Sequence, residues 1–195
     1  MQWQQLIIDG YERVLEILDK SLCGLTQHDL NWRPNPNSNS IGWISWHISR
    51  EQDYNISRLM RKEQLWIINK WYVRFNRAPN PLDTGYEKLG HSSEDAAGFR
   101  SPGTDILLGY YSDVLERLKS YIKTLLTSDL DQEASPPAWS WERQRQVETS
   151  GSQSWYIPVP TVGMRLISIL SECLQHAGQV SYIRGLLQGK GWLKE

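Results

Sequence analysis

The sequence predicts an all-α fold, a bundle of four long helices, on three observations. Four segments repeat apolar residues at the helical period of about 3.6 residues. No segment shows a convincing strand-like alternation of apolar and polar residues. The 195 residues suffice for one domain with a substantial core but are short for two. We therefore expect a single domain over residues 1–195, because a bundle buries one apolar stripe of each helix.

The first two helices are predicted at residues 3–23 and 41–62. In the first, charged residues separate a recurring set of apolar positions: Trp3, Ile7, Gly10, Val14, Ile17, Leu18 and Leu22. The second follows an Asn-, Pro- and Ser-rich stretch, and the hydroxyl of Ser40 can accept a hydrogen bond from the first free amides. His47 lies on the inner side of this helix.

The third helix is predicted to open at Ser101, a capping residue followed by Pro102 in the first turn, and to run to Leu125. The fourth follows two prolines, with Thr161 as its expected cap, and glycines at 189 and 191 should end it. Its apolar stripe passes through Leu166, Ile169, Cys173, Val180 and Leu187.

Two long connections, at residues 63–100 and 128–160, are rich in aromatic residues and proline. Loops of this length are uncommon in a compact domain unless they cover a site or carry small elements of their own. The chain has ten Trp and nine Tyr against two Phe, and such amphipathic rings suit the walls of a cavity or an interface. We therefore expect the connections to act as lids over one end of the bundle.

Two short segments that follow the first and third helices have weakly similar sequences. The sequence LTQHDLN at residues 25–31 is similar to LTSDLD at residues 126–131, and Thr26 and Thr127 can each cap a short helical turn. This similarity predicts two helix-turn-helix halves, one with the first and second helices and one with the third and fourth. The second and fourth helices then occupy equivalent places. These two helices carry the histidines of interest.

Composition and charge exclude several classes of function. Lys plus Arg (21) nearly balances Asp plus Glu (22), so no strong field points to nucleic acid or an anionic membrane. The first residues lack the pattern of a signal peptide, and charges interrupt every apolar stretch before it could span a bilayer. We expect a soluble, cytoplasmic protein. Cys23 and Cys173 lie on apolar helical stripes without metal-finger spacing, which predicts two buried core thiols.

Three side chains form a candidate metal site. Glu172 and His176 are four residues apart, so they share one face of the fourth helix at the margin of its apolar stripe. With His47 they offer two imidazoles and a carboxylate, a set that suits zinc, iron, nickel or manganese and leaves positions open for water or substrate. The alternative is structural: a hydrogen-bonded pair of Glu172 and His176, with His47 bonded elsewhere in the core.

Two motifs are similar to those of the DinB-like superfamily, which includes thiol S-transferases and mycothiol-dependent maleylpyruvate isomerases. The stretch SIGWISWHI at residues 40–48 resembles the second-helix signature of that family, and LQHAGQVSYIRG at residues 174–185 resembles its fourth-helix motif. The resemblance implies a DinB-type four-helix bundle, often a dimer, that binds a divalent metal through three side chains. His47 and His176 match two ligand positions, and Glu172 stands where relatives often have histidine.

The resemblance implies a metal-dependent enzyme acting on a small molecule, in which a low-molecular-weight thiol is transferred to an electrophile; metal-assisted hydrolysis is a related option. Arg184 belongs to the fourth-helix motif and is a candidate for binding an anionic substrate, or else for pairing with an acidic partner within the bundle. His91, in the first connection, is a candidate acid or base at the mouth of the site, or else a solvated loop histidine. The alternative function is a non-catalytic, stress-linked binding protein on the same scaffold.

Overall fold

The computed structural model describes residues 2–85, 91–134 and 161–189, and these residues form an all-α fold. In chain order the helices are α1 (Trp3–Leu22), α2 (Gln27–Asn31), α3 (Ile41–Met60), α4 (Leu65–Ile68), α5 (Trp71–Arg74), α6 (Ser93–Gly98), α7 (Thr104–Thr124), a 3-10 helix at Thr127–Asp131, and α8 (Val162–Gln188). The four long helices lie in the four predicted segments. Over the described ranges, the extended pairing present is one isolated bridge between Glu133 and Thr161.

The four long helices pack as a ring. Helix α3 lies against α7 and α8, and α1 lies against the same two helices, so the order around the bundle is α1, α7, α3, α8. The same pairs of neighbouring helices result if α1 is exchanged with α7 and α3 with α8, so α3 and α8 occupy equivalent places in the ring. The long helices α1 and α3, which follow each other along the chain with only the short α2 between them, therefore lie diagonally across the bundle. The candidate ligands lie on α3 and α8, which pack directly against each other.

Three of the predicted helix caps are confirmed, because the hydroxyls of Thr26, Ser40 and Thr161 each accept a hydrogen bond from the amide three residues on. The cap predicted for the third long helix is wrong. Helix α7 begins at Thr104 with Gly103 in the capping position, while Ser101 is buried and its amide donates to the Asn31 side chain. The turn after α7 is also capped differently, since Leu126 rather than Thr127 precedes it.

Helix α3 is buried on all sides over residues 40–54. The first connection, with its short helices α4 and α5, covers the side of α3 that the bundle leaves open. Two charged residues of α3 anchor it. The Arg50 guanidinium donates to the backbone carbonyls of Pro81 and Asp83, and the Asp53 carboxylate accepts the first amides of α4.

Most aromatic residues in the described part of the first connection are core residues rather than cavity walls. Trp66 and Trp71 are buried and pack against Tyr110 of α7. The described part of this connection is thus a packed layer along α3. Residues 135–160, which hold most of the second connection and its three tryptophans, lie outside the described residues, and the lid predicted there stays a prediction.

The two cysteines differ in their surroundings. Cys173 is fully buried, as predicted, and its thiol donates to the Gln52 side chain. The prediction for Cys23 is wrong: this thiol is exposed, because α1 ends at Leu22 and Cys23 occupies the turn that follows. Among the described residues, no helix is both long and apolar enough to cross a membrane.

Candidate metal centre

His47, Glu172 and His176 meet where α3 packs against α8. Their potential ligand atoms all lie within 4.8 Å of one another. The Nε2 atom of His47 lies 3.0 Å from Glu172 Oε1, and the Nε2 atom of His176 lies 3.1 Å from the same oxygen. The structure therefore brings together all three predicted metal ligands, in a group that could hold a metal ion.

The second nitrogen of each imidazole faces an oxygen that can only accept. His47 Nδ1 lies 2.5 Å from the carbonyl oxygen of Thr84, and His176 Nδ1 lies 2.8 Å from Gln179 Oε1, so each Nδ1 is assigned the hydrogen. In the neutral rings both Nε2 lone pairs then point at Glu172 Oε1, which is itself an acceptor. Three acceptors converging on one point require a proton or a cation between them, and a partner on Nδ1 commonly orients a metal-binding histidine in this way.

Two buried carboxylate oxygens around this point are unsatisfied. Glu172 Oε2 and Glu51 Oε1 are both shielded from solvent and have no hydrogen-bond partner within the described part of the chain. An unpaired buried charge is costly, and coordination of a cation is one of the few ways to offset that cost. The orphaned oxygens, together with two imidazoles and a carboxylate, fit a divalent transition metal.

The electrostatics of the group differ between its carboxylates. Burial raises the pKa of Glu172, but the hydrogen bonds and positive charges that His176 and His47 supply when protonated outweigh it and bring the pKa to about 2. Burial lowers the pKa of His176, but its hydrogen bond with Glu172 outweighs that effect, so the pKa is raised. For Glu51 the effect of burial is the larger one, so its pKa is raised even though the neighbouring His47 acts to lower it.

The wall behind His47 is built by a glycine and an indole. The Trp43 ring stacks on the His47 ring with centroids 5.0 Å apart and planes 16° from parallel. Gly85 has a φ of +91°, and a Cβ atom there would lie 2.7 Å from Trp43 and 3.2 Å from His47 Nδ1. Only a residue without a side chain lets the first connection approach this closely.

His91 lies behind Trp43 and does not contact the three ligands through any observed hydrogen bond. Its Nδ1 accepts from the Trp43 indole at 3.1 Å, and its Nε2 lies 3.0 Å from Asp83 Oδ1. With a side chain 10% exposed, it is not the solvated loop histidine of the structural alternative. Both ring nitrogens are engaged within the protein, and one of them contacts the Trp43 indole; the role of His91 as an acid or base stays a prediction.

Arg184 is engaged at the far end of α1. Its Nη1 donates to the backbone carbonyls of Lys20, Ser21 and Cys23, which are left free where α1 ends. The expected acidic partner is therefore replaced by a helix C-terminus, a favourable place for a positive charge. Only Nη1 makes these bonds, and the contact lies about two helical turns from His176.

Solvent can reach the centre from the α8 side. The His47 side chain is wholly buried, whereas Glu172 and His176 are 28% and 15% exposed. A small molecule could thus approach the group over α8 while α3 and the first connection close its back. Among the residues described, this side supplies the open positions that a three-ligand metal would leave.

Sequence reasoning missed Glu51, Thr84 and Trp43. A usable signal existed for Glu51, which follows His47 by four residues as His176 follows Glu172. Thr84 contributes a backbone carbonyl, and every residue type supplies one, so no sequence signal could have selected it. Trp43 was visible as part of the second-helix motif, but its stacking on His47 was not.

The chain belongs to the DinB superfamily, because the family model of that superfamily matches residues 11–180. Among solved structures, the chain is similar to the crystal structure of a conserved protein from Enterococcus faecalis. The two share 26% sequence identity over 97% of this chain and 99% of the other, with a TM-score of 0.78. The comparison with curated proteins gave no match.

Proposed function

We propose that the protein is a metal-dependent enzyme in which His47, Glu172 and His176 hold one divalent transition metal. The observation that carries the proposal is the convergence of both Nε2 lone pairs on one carboxylate oxygen, with each Nδ1 hydrogen already committed to another acceptor. Membership of the DinB superfamily supports the same reading. Zinc, nickel, iron and manganese all suit this donor set.

The proposed reaction transfers a low-molecular-weight thiol to a small electrophile. When bound, the metal would stabilise the deprotonated form of a coordinated thiol or water and so supply a nucleophile at neutral pH. The protein would contribute orientation: the Thr84 carbonyl fixes the His47 ring, and Trp43 holds its plane. The buried Glu172 Oε2, which has no hydrogen-bond partner among the described residues, would help to offset the charge of the cation.

Metal content gives the first test. Wild type, His47→Ala, His176→Ala and the control His28→Ala would be stripped with chelator, reloaded separately with the four metals, and analysed for bound metal. His28 suits the control because its side chain is 87% exposed. We expect stoichiometric metal in wild type and His28→Ala and a loss in the other two. Equal metal in all four variants would contradict the proposed ligands.

Turnover gives the second test and separates the two functions. Metal-loaded protein would be assayed with several biological thiols and a chromogenic electrophile. We expect transfer with at least one thiol, abolished by chelator and by His47→Ala but unaffected by His28→Ala. A protein that binds metal but transfers none of the thiols would instead support the non-catalytic binding protein and refute the transferase.

A homodimer in the cytoplasm is also proposed. Exposed apolar side chains along α8 offer a surface that a second copy could cover: Met164, Ile167, Leu174, Tyr182 and Leu186. Sedimentation velocity at micromolar concentration would show a dimer, and a charged substitution such as Ile167→Glu would dissociate it. A wild-type monomer throughout that concentration range would refute the dimer.

A further inference from the structure

Glu51 is a buried carboxylate that the three-ligand site does not use. It follows His47 by one helical turn on α3 and is 7% exposed. Its Oε2 accepts a hydrogen bond of 3.0 Å from the Asn55 side chain, but its Oε1 is buried without a partner among the described residues. A half-satisfied carboxylate in a core needs an explanation, because Glu is rarely buried unless it is paired.

The cations near Glu51 are committed elsewhere. Arg50 is adjacent in sequence, but its guanidinium donates to two backbone carbonyls, to the Gln64 side chain and to the Tyr110 hydroxyl. The charges that interact with Glu51 include those of His47 and Glu172, and Glu51 in turn acts on His176. Its electrostatic partners thus include members of the proposed metal centre, together with the Arg50 charge and a side-chain hydrogen bond with Thr84.

The two helices offer matching pairs. Helix α3 presents His47 and Glu51, and α8 presents Glu172 and His176, each pair spaced by four residues. The two helices pack directly against each other and occupy exchangeable places in the bundle. A divalent cation held by one carboxylate and two neutral imidazoles leaves one positive charge in the core, whereas Glu51 alone leaves one negative charge.

We propose that Glu51 is the second carboxylate of the metal centre, supplying the charge that makes a bound divalent cation electrically neutral in the core. This inference rests on the proposed metal site. Glu51 would act on the cation through its charge, from outside the three converging ligand atoms. It is a positioning and charge-balancing residue rather than a catalytic one, and it favours divalent over monovalent cations.

Affinity for metal, measured without any reaction, is the test. Metal-free wild type, Glu51→Gln, Glu51→Asp and Glu116→Gln would compete with a chromophoric chelator for Zn²⁺ and for Mn²⁺. Glu116→Gln is the matched control, because it removes the same charge from a side chain that is 69% exposed on α7. We expect Glu51→Gln to weaken binding roughly 10- to 100-fold, as outer carboxylates of metal sites typically do. Glu51→Asp keeps the charge and should lose clearly less, and Glu116→Gln should match wild type.

A second readout is the stability of the metal-free proteins in urea. Because the amide removes an unpaired buried charge, metal-free Glu51→Gln should be at least as stable as wild type while binding metal more weakly. Equal affinity in wild type and Glu51→Gln would overturn the role of Glu51 and leave the metal site standing. Equal losses in Glu51→Gln and Glu51→Asp would overturn it too, since shape rather than charge would then be responsible. A wild type that binds neither metal would refute the proposed function itself.

Discussion

Replacing Asp53 by Asn should destabilise the protein strongly, because this carboxylate anchors the first connection to α3. Its two oxygens accept four hydrogen bonds, from the amides of Leu65 and Trp66 and from the hydroxyls of Ser57 and Tyr110. Arg50 lies 3.7 Å away and is as deeply buried. In the Asn variant, the new amide group must face one of the two backbone N–H groups, and the Arg50 charge loses its counterion.

The magnitude follows from the burial of this network. Breaking a buried ion pair by removing one partner costs about 3–5 kcal/mol, since the remaining charge is left uncompensated. For a chain of this size each kcal/mol lowers the melting temperature by roughly 2–4 °C, which gives a fall of about 6–20 °C. The cost of about 3–5 kcal/mol is a large fraction of a typical folding free energy of about 5–15 kcal/mol.

Urea denaturation of wild type, Asp53→Asn, Arg50→Met and the double variant would measure this cost. We expect a lower midpoint at an unchanged slope for Asp53→Asn, and a double variant that loses less than the sum of the two single variants, by roughly 0.5–3 kcal/mol. A loss under about 1 kcal/mol for Asp53→Asn would refute the reasoning, because it falls below the cost of even one unsatisfied buried group. Additive losses would show that the two charges do not act as a pair.

Three further predictions concern single contacts. Gly85→Ala forces a Cβ into Trp43 and His47 at a positive φ, so metal affinity should fall at least tenfold; unchanged affinity in a chelator competition would contradict the close approach. For Asp83, burial raises the pKa but hydrogen bonds from His91 and Arg77 lower it to about 2, so its contribution to stability is fully present above its unfolded value of 3.8 and is lost as pH falls through about 2. Asp83→Asn should therefore flatten the acid limb of a plot of urea midpoint against pH, and an unaltered limb would exclude this linkage. Arg184→Ala should cost about 1.5–3 kcal/mol of unfolding free energy by freeing the α1 carbonyls, with metal affinity unchanged; a loss of affinity would instead tie Arg184 to the centre.

The long helices and the three candidate metal ligands could be predicted because most of their signals are periodic. Four apolar stripes predict four helices, and the spacing of Glu172 and His176 places both on one face before any coordinate is known. His47 was placed by the predicted equivalence of two helices and by the resemblance to DinB-like proteins.

The errors fall where backbone groups of distant segments compete with local signals. Ser101 and Pro102 form a good helix start in isolation, but the Ser101 amide is taken by Asn31 and the helix begins later. For Arg184 the sequence predicts an acidic partner or an anionic substrate, and it gives no sign that Nη1 donates to backbone carbonyls at the end of α1. Carbonyl groups are identical in every residue, so the sequence holds no mark of which ones an arginine will find.

Helix α3 carries both the buried Arg50–Asp53 ion pair and His47 of the proposed metal centre. Arg50 holds the carbonyl of Asp83, and the next carbonyl, that of Thr84, fixes the His47 ring one turn earlier on α3. The buried ion pair thereby positions a ligand that neither of its members touches. This accounts for the cost of keeping Arg50 and Asp53 in a core where apolar residues would pack as well. The charged pair specifies where the first connection lies, and that placement sets which nitrogen of His47 faces Glu172 and the proposed cation position.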